Sequence, residues 1–545
     1  MFNNCKMFLS KVYRKFLQIK PSFGFYSFLI IYTAFTLVVY NYTFWSKNIA
    51  AVKFNKITDF TFFLSYIFVL FAIHLIAFLV FFNKFTTKSI AIFLLIANSF
   101  ASYFITVYGV MIDHSMITNV FQTDINEATD LLNVKLVLYI VLFGIVPSVM
   151  VLRTKIIYKT VLKEILYRVV IILVLLAVSL VLVFSQYRQI STFIRTTNDN
   201  FNYLVPRSYL NAFFKVTKKH FATEKVLVRI ANDLTVNSKK ETLVVLIVGE
   251  TARKANFSLY GYSQETNPLL KKDDIFVLKN VTSCGTSTAV SLPCMFSHLG
   301  REQFVNNNTN YEFIPSLLAR NGVNVLYKDN NFGGCKGTCS EVESVEINGT
   351  GDDEKFCFGG DCVDGILLEG VEEYIQSKNG NTLVILHQNG SHGPKYNKRY
   401  PKSFEKFTPV CDNSDLSQCS QQELINAYNN TILYTDYIVH TIIEMVKKTK
   451  KNAVVIYVSD HGESLGENNL YLHGFPYKFA PSEQKEIPFI VWFSDSFKKE
   501  RNITEKCLNA KDSYSHDNLF HSLLGAFNAK TEIYDKNLDI TNQCQ

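Results

Sequence analysis

Five apolar stretches in the first 186 residues constrain the fold of this chain more than any other feature. They lie near Phe23–Tyr42, Phe60–Phe82, Ile90–Ile112, Leu136–Leu152 and Val169–Ser185. Each is close to the length of about 20 apolar residues that a helix needs to cross a bilayer. The mean hydropathy of the chain, +0.10, agrees, because soluble enzymes of this size rarely score above zero. We therefore predict a transmembrane domain of five helices over residues 1–186.

The distribution of lysine and arginine around these stretches predicts their orientation. Basic residues cluster before the first stretch and between the fourth and the fifth, whereas the loop between the third and the fourth is acidic. Because cytoplasmic loops are enriched in lysine and arginine, we expect the N-terminus to lie in the cytoplasm. Five spans then place the residues after 186 on the outer side of the membrane.

The cysteines support an external location for the second half of the chain. Ten of the eleven lie beyond residue 283, and eight of these form close pairs: Cys284/Cys294, Cys335/Cys339, Cys357/Cys362 and Cys411/Cys419. Cys507 and Cys544 remain, and they are paired by elimination. An even set in one domain predicts disulfides and an oxidising compartment. The alternative is a cysteine-rich zinc domain, which the lack of a CxxC…CxxC pattern disfavours.

The charge changes sign along the chain. Residues 1–240 contain 26 Lys and Arg against 9 Asp and Glu, whereas residues 241–545 contain 29 against 38. Residues 187–240 are basic with short apolar interruptions, a pattern that predicts helices lying on the membrane surface, with a plain linker as the alternative. The basic residues flank apolar stretches and form no single basic face, so we expect no nucleic-acid partner.

From residue 241 onwards, short apolar runs rich in β-branched residues alternate with helical patterns. The runs are Leu243–Val248, Val323–Tyr327, Thr382–Leu386, Ala453–Val458 and Pro488–Trp492. Helix-like segments such as Gly365–Gln376 and Gln422–Lys447 separate them. Continuous apolar strands alternating with helices are typical of an α/β fold with a mostly parallel sheet. We therefore assign residues 241–545 to one α/β domain.

Polar residues follow several of these strands directly, where parallel sheets bind their ligands. The residues with suitable side chains are Glu250, His387, His392, Asp460, His461 and Glu463. Their convergence at one edge of the sheet predicts a shared metal site. Carboxylate and imidazole ligands without cysteine suit zinc or manganese.

A hydroxyl-rich turn, Gly285-Thr-Ser-Thr-Ala289, lies between the first two strands. We interpret it as a turn that carries a nucleophile, with one threonine attacking phosphorus. The residues alone leave the choice among Thr286, Ser287 and Thr288 open. A disulfide between the flanking Cys284 and Cys294 would make this turn rigid.

Together these motifs resemble the membrane phosphoethanolamine transferases, the group that includes the polymyxin (colistin) resistance enzymes. The matching motifs are Val248–Arg253, Thr282–Thr288, His387–Pro394, Ser459–Glu467 and Leu472–Gly474. The resemblance spans nearly the whole chain, and it implies an alkaline phosphatase/sulfatase-like catalytic domain in the periplasm, anchored in the bacterial inner membrane. It implies transfer of phosphoethanolamine from phosphatidylethanolamine to lipid A, with other surface glycans or proteins as open alternatives. Resistance to cationic antimicrobial peptides would follow.

The resemblance also implies roles for individual residues. The expected zinc ligands are Glu250, Thr288, Asp460 and His461, with Thr288 as the zinc-activated nucleophile that forms a phosphothreonine intermediate in a ping-pong reaction. The expected substrate contacts are Asn119, Glu127, Lys336, His392 and His473. The two histidines could instead hold a second zinc. We expect a monomer that binds one zinc ion at the first set of ligands.

Some positions depart from the family pattern or receive no role. Phe332, Gly333 and Gly334 offer no hydroxyl where some relatives have a serine near Lys336. His387 is left out of the metal set, Glu463 is expected to orient a ligand, and His516 and His521 are expected to be ordinary surface or core residues.

The alternatives to phosphoethanolamine transfer are a phosphoglycerol transferase or a sulfatase-like hydrolase on the same fold, and a catalytically inactive lipid-binding protein. The turn lacks the Cys/Ser-x-Pro-x-Arg motif of type I sulfatases.

Overall fold

The structure is a computed structural model. It describes residues 21–52, 54–112, 116–117, 120, 131–186, 189–190, 193–194, 197–220, 226–237, 240–307, 309–347, 349–351, 353–358, 361–413, 416–504, 508 and 511–542. The chain divides into two compact units. One lies within Met1–His114 and Asn133–Lys215, and the other within Ser115–Leu132 and Val216–Gln545.

The first unit is helical. Its main helices are α1 Phe25–Val39, α2 Tyr42–Ala51, α3 Ile57–Phe81, α4 Thr87–Tyr108, α5 Val134–Arg153 and α6 Val161–Ser185. By length and composition α3 to α6 are able to cross a membrane, and α1 with α2 form a bent pair that counts as a fifth span if taken together. Helix α7, Arg207–His220, follows, and two short strands, Ser22–Gly24 and Lys155–Ile157, pair in parallel. The predicted helical transmembrane domain is thus confirmed, with four or five spans among the described residues.

The first predicted span is interrupted, which the sequence pattern did not indicate. Helix α1 ends at Val39, and α2 leaves it at an angle of 71°. Between them, the Asn41 side chain donates to the carbonyl oxygens of Thr36 (3.0 Å) and Val205 (3.1 Å) and accepts from Val205 N–H (2.8 Å). Asn41 is buried, so these bonds to a segment 164 residues away fix the break.

The second unit contains a seven-stranded sheet. Its strands are β1 Thr242–Gly249, β2 Ile275–Val277, β3 Asn324–Asp329, β4 Glu343–Glu346, β5 Thr382–His387, β6 Asn452–Ser459 and β7 Phe489–Phe493. Their spatial order is β2-β7-β6-β1-β5-β3-β4. Strands β6, β1, β5, β3 and β4 are mutually parallel, and β7 runs antiparallel to both β6 and β2. All five predicted strands are present within one or two residues of their predicted ends.

Smaller elements complete this unit. The helices are α8 Thr288–Met295, α9 Arg301–Asn306, α10 Ile314–Arg320, α11 Val371–Ser377, α12 Gln421–Thr449, α13 Ser482–Lys485, α14 Asp495–Arg501 and α15 Asp517–Ala526. Short strands pair as Thr235–Val236 with Ala529–Lys530, Cys357–Phe358 with Asp361–Cys362, Ser464–Leu465 with Tyr471–Leu472, and Val281–Thr282 with both Glu486–Ile487 and Tyr514–Ser515. The predicted helix at Gly365–Gln376 is in fact a 3₁₀ turn, Asp364–Leu368, followed by α11, because Gly370 between them has a positive φ of 72°.

The centre of the sheet is covered on both faces. Every residue of β1, β5 and β6 is buried, which explains why these strands are continuous apolar runs. The long helix α12 begins at a capping box in which the Ser420 hydroxyl accepts from Glu423 N–H while the Glu423 carboxylate accepts from Ser420 N–H. The parallel register aligns the carboxyl ends of β1, β5 and β6, and the candidate site lies at this edge.

Candidate active site

The core of the site is formed by residues that directly follow two neighbouring strands. Ser459 at the end of β6 pairs with Gly249 at the end of β1, so Asp460 and Glu250 emerge side by side. Asp460 N–H donates to the Gly249 carbonyl at 2.8 Å. The parallel pairing therefore brings two carboxylates together that are 210 positions apart in the sequence.

Hydrogen bonds orient these carboxylates and the neighbouring imidazole toward one point. Asp460 Oδ1 accepts from the N–H groups of Thr251 (3.2 Å) and His461 (2.7 Å). His461 Nδ1 lies 2.9 Å from the Gly462 carbonyl, so it carries the proton and leaves the Nε2 lone pair available. His461 Nε2 lies 3.3 Å from Asp460 Oδ2 and 3.5 Å from Glu250 Oε1.

Thr288 supplies a hydroxyl at the same point. It is the first residue of α8, and its Oγ1 donates to Glu250 Oε2 at 2.9 Å and lies 3.3 Å from His461 Nε2. The neighbouring hydroxyl of Thr286 instead donates to the Phe475 carbonyl at 2.6 Å. Ser287 is the residue that precedes the helix. Side-chain direction thus distinguishes Thr288 from Thr286.

The electrostatics of this cluster favour a cation. Glu250, Asp460 and His461 have no exposed surface. Burial and the nearby Asp460 charge raise the pKa of Glu250 well above its usual value, and burial lowers the pKa of His461 to about 4. Two carboxylates packed against a neutral imidazole without a counter-charge are unfavourable in a dry interior.

The residues present fit a metal ion. Glu250 Oε1 and Asp460 Oδ2 are buried and have no hydrogen-bond partner among the described residues, and with His461 they form a group whose ligand atoms lie within 4.8 Å of one another. Buried polar atoms are nearly always partnered, so two such oxygens facing one imidazole nitrogen indicate a cation-binding site. Two carboxylates, one histidine and one hydroxyl form a donor set that suits zinc.

Two further histidines extend from this centre. The His473 ring centroid lies 4.7 Å from that of His461 and 5.2 Å from that of His392. His473 Nδ1 bonds to Glu463 Oε2 at 3.0 Å, and Glu463 Oε1 accepts from the Tyr396 hydroxyl at 2.7 Å. Glu463 is fully buried, so its carboxylate holds the His473 ring in one orientation.

The segment after β3 is arranged around Lys336. A Cβ atom on Gly333 would lie 2.6 Å from Lys336 Nζ and 3.2 Å from Asn331 Oδ1, so a larger residue at position 333 would displace the ammonium group from this place. Phe332 is buried with its ring 4.6 Å from the Arg399 guanidinium and 6.2 Å from the His392 ring. Position 332 thus offers an aromatic contact with His392 and no hydroxyl.

Other predicted residues lie elsewhere. His387 Nδ1 pairs with Asp329 Oδ1 at 3.1 Å, and both side chains are fully buried outside the metal-binding group. Asn119, Glu127, Cys507 and Cys544 lie outside the described residues. The other eight paired cysteines form the disulfides Cys284–Cys294, Cys335–Cys339, Cys357–Cys362 and Cys411–Cys419.

Sequence reasoning missed two residues that support the site. Asn331 Nδ2 donates to Glu250 Oε2 at 2.7 Å, and its position just after β3 is the signal that could have revealed it. His516 is buried; its Nδ1 accepts from Cys284 N–H (3.0 Å), and its Nε2 donates to the Ser459 carbonyl (2.9 Å). Burial lowers the pKa of His516 to about 4, and the neutral ring joins the nucleophile turn to the end of β6.

Comparison with known proteins agrees with this geometry. Residues 70–221 match the family model described as phosphoethanolamine transferase EptA/EptB, and residues 242–529 match the sulfatase model. Phosphoethanolamine transferase EptA of Escherichia coli K12 is 35% identical over 538 residues, covering 96% of this chain and 98% of that protein. Phosphatidylethanolamine transferase Mcr-1 of Escherichia coli is 35% identical, covering 82% and 85%.

A solved structure matches nearly the whole chain. It is the integral membrane protein lipooligosaccharide phosphoethanolamine transferase A (EptA) from Neisseria meningitidis, with a TM-score of 0.91 and 33% identity. The match covers 96% of this chain and 99% of that one. With its membrane-spanning helices and its sulfatase-like α/β unit, the chain belongs to the phosphoethanolamine transferase family.

Proposed function

We propose that this chain transfers phosphoethanolamine from phosphatidylethanolamine to lipid A, with other surface glycans or proteins as further acceptors. The Thr288 hydroxyl carries the proposal, because it lies 2.9 Å from Glu250 Oε2 and 3.3 Å from His461 Nε2. The name of the Mcr-1 relative supports the donor, and the name of the Neisseria relative supports a surface glycolipid acceptor. Masking of negative surface charge would give resistance to cationic antimicrobial peptides.

The reaction would proceed in two displacements. In the first, Thr288 Oγ1 forms a bond to phosphorus while the bond from phosphorus to the diacylglycerol oxygen breaks. The threonine proton points at Glu250 Oε2, which would take it up as the bond to phosphorus forms and return it when Thr288 is released in the second displacement. In the second displacement, an acceptor oxygen attacks the phosphothreonine and releases Thr288. One site would thus serve two bulky lipids in turn, with ping-pong kinetics.

Other side chains would bind the transferred group. Lys336, His392 and His473 would neutralise the phosphoryl oxygens, because phosphoryl transfer depends mainly on positioning and charge stabilisation. A histidine held as His473 is by Glu463 is suited to protonate the leaving diacylglycerol oxygen. Asn119 and Glu127 would contact the lipid headgroup.

The group Glu250, Thr288, Asp460 and His461 would hold one zinc ion. Bound zinc would lower the pKa of the threonine hydroxyl and offset negative charge on the phosphoryl oxygens. His392 and His473 are the candidate ligands of a second ion. The unpartnered oxygens of Glu250 and Asp460 support this assignment.

The location follows from the same proposal. Residues 1–186 would anchor the protein in the bacterial inner membrane with the N-terminus in the cytoplasm, residues 187–240 would lie at the outer face of that membrane, and residues 241–545 would form the periplasmic catalytic domain. The four disulfides among the described residues support an oxidising compartment. The protein would act as a monomer.

Thr288→Val and its neighbour Thr286→Val form a matched pair that tests the proposal. Incubation of the full-length wild type with phosphatidylethanolamine should add one phosphoethanolamine mass to the protein, and cells that express it should carry phosphoethanolamine on lipid A. Thr288→Val should abolish both adducts, whereas Thr286→Val should retain them. Persistence of the adduct in Thr288→Val would refute the nucleophile, and an adduct from phosphatidylglycerol alone would refute the donor.

A further inference from the structure

A cavity of about 320 Å³ opens in the α/β unit. It is lined by Phe358, Asn397, Lys398, Tyr400, Lys402 and Glu405. Two ammonium groups, an amide and a phenol thus line the same cavity. Burial raises the pKa of Tyr400 to about 12, so its hydroxyl keeps its proton. These groups are hydrogen-bond donors of the kind that bind a phosphate group.

The charge of this cavity contrasts with its surroundings. Residues 395–406 contain five basic side chains and one acidic one, although residues 241–545 as a whole contain more acidic than basic residues. The single carboxylate, on Glu405, pairs with Lys402 Nζ at 2.5 Å. In the described part of the chain, no carboxylate lies within ion-pair distance of Lys398. The Lys398 charge is therefore available to an incoming anion.

The segment that forms the cavity also contacts the candidate active site. The Tyr396 hydroxyl donates to Glu463 at 2.7 Å, and Arg399 Nε donates to the His392 carbonyl at 3.0 Å. Lys398 and Tyr400 flank Arg399 in the sequence, and consecutive Cα atoms are about 3.8 Å apart. One segment, residues 396–405, thus lines the cavity and also contacts Glu463 and His392 of the candidate site.

We propose that this cavity binds a second phosphate group of the acceptor, a glycolipid with two or more phosphates. The proposal rests on the proposed transfer reaction. The donor headgroup has a single phosphate, which reacts at Thr288, so a separate cationic cavity has no partner on the donor. Phe358 is 45% exposed at the cavity, and an exposed aromatic face suits the apolar face of a sugar ring.

Lys398→Glu and Lys406→Glu test this inference as a matched pair. Lys406 belongs to the same basic segment but does not line the cavity, so both variants change the surface charge equally. With full-length protein, the adduct formed from phosphatidylethanolamine is measured first, followed by its transfer to purified lipid A with two phosphates. Lys398→Glu should raise the KM for this acceptor about tenfold or more, because a charge-assisted contact becomes repulsive, and adduct formation should stay within about twofold of wild type.

The same variants are compared on lipid A that has lost one phosphate. The KM difference between wild type and Lys398→Glu should largely disappear with this acceptor. An unchanged KM for the diphosphorylated acceptor, slower adduct formation, or an equal effect of Lys406→Glu would overturn the inference. The inference would also be overturned if binding of the protein to vesicles depended on their content of anionic phospholipid and not on the number of phosphates on the acceptor. If the wild type itself formed no adduct, the proposed function would fall, and this inference with it.

Discussion

Glu463→Gln measures what one buried carboxylate contributes to the proposed reaction through His473. Glu463 has two partners, His473 Nδ1 at 3.0 Å and the Tyr396 hydroxyl at 2.7 Å. Glutamine preserves the shape of the side chain, removes the charge and replaces one acceptor oxygen with a donor. The one remaining oxygen can accept a hydrogen bond from His473 or from Tyr396, whereas the carboxylate accepts from each with a separate oxygen. The His473 ring is therefore no longer held in one orientation.

The size of the effect follows from the hydrogen bond that is lost. A bond to a charged group contributes about 1.5–3 kcal/mol, and a neutral one about 0.5–1.5 kcal/mol. The difference of about 1–2 kcal/mol corresponds to a rate that is slower by about 5- to 30-fold if it is expressed in the transition state. Tyr396→Phe leaves the bond between Glu463 and His473 in place, so it should slow transfer less than about fivefold.

The assay uses full-length enzyme and a fluorescent phosphatidylethanolamine, with diacylglycerol release as the readout. A second donor, in which a nitrophenolate leaves in place of diacylglycerol, needs little help from an acid. If His473 protonates the leaving oxygen, Glu463→Gln should slow the lipid donor and leave the nitrophenyl donor nearly unchanged. Equal losses on both donors, or no loss on either, would refute this role of the Glu463–His473 pair.

The remaining predictions concern the metal, the nucleophile turn and the lysine segment. Asp460→Asn should lose most of its bound zinc by elemental analysis, whereas His387→Asn, which alters a buried histidine outside the metal-binding group, should keep it. The lowered pKa of His516, about 4 against 6.5, means that the unfolded chain takes up a proton first as the pH falls. The contribution of His516 to stability should therefore decrease between pH 6.5 and 4 by up to about 3 kcal/mol, and His516→Asn should show a smaller decrease than wild type in denaturant titrations. Gly333→Ala should displace the Lys336 ammonium and lower kcat by about tenfold without loss of zinc, and full activity would contradict this placement of the lysine.

Much of the fold could be predicted because its determinants are local. The central strands are buried on both faces, so they are continuous apolar runs such as Leu243–Val248 and Ala453–Val458. The break after Val39 could not be predicted, because it depends on bonds between Asn41 and Val205. Long-range contacts of this kind leave no periodic signal in the sequence.

In the candidate site, too, the residues set by local sequence could be predicted, whereas those that depend on long-range contacts could not. Glu250, Asp460 and His461 could be selected because they directly follow strands that pair in parallel. The choice between Thr286 and Thr288 required the direction of each hydroxyl, which only the folded turn defines. The role of His516, which was expected to be an ordinary surface or core residue, could not be predicted because its partners, Cys284 and Ser459, are distant in sequence.

The order of the site residues along the chain has a consequence for biosynthesis. Glu250 and Thr288 are made early, but Asp460 and His461 follow only after about 170 more residues, and β6 must then insert beside β1. A nascent or truncated chain that ends before residue 452 therefore has two of the four proposed ligands and no central β6. If these four residues hold the metal as proposed, the complete site would form only after β6 and His461 are made, so the metal would stabilise the finished domain and would not guide the first steps of its folding.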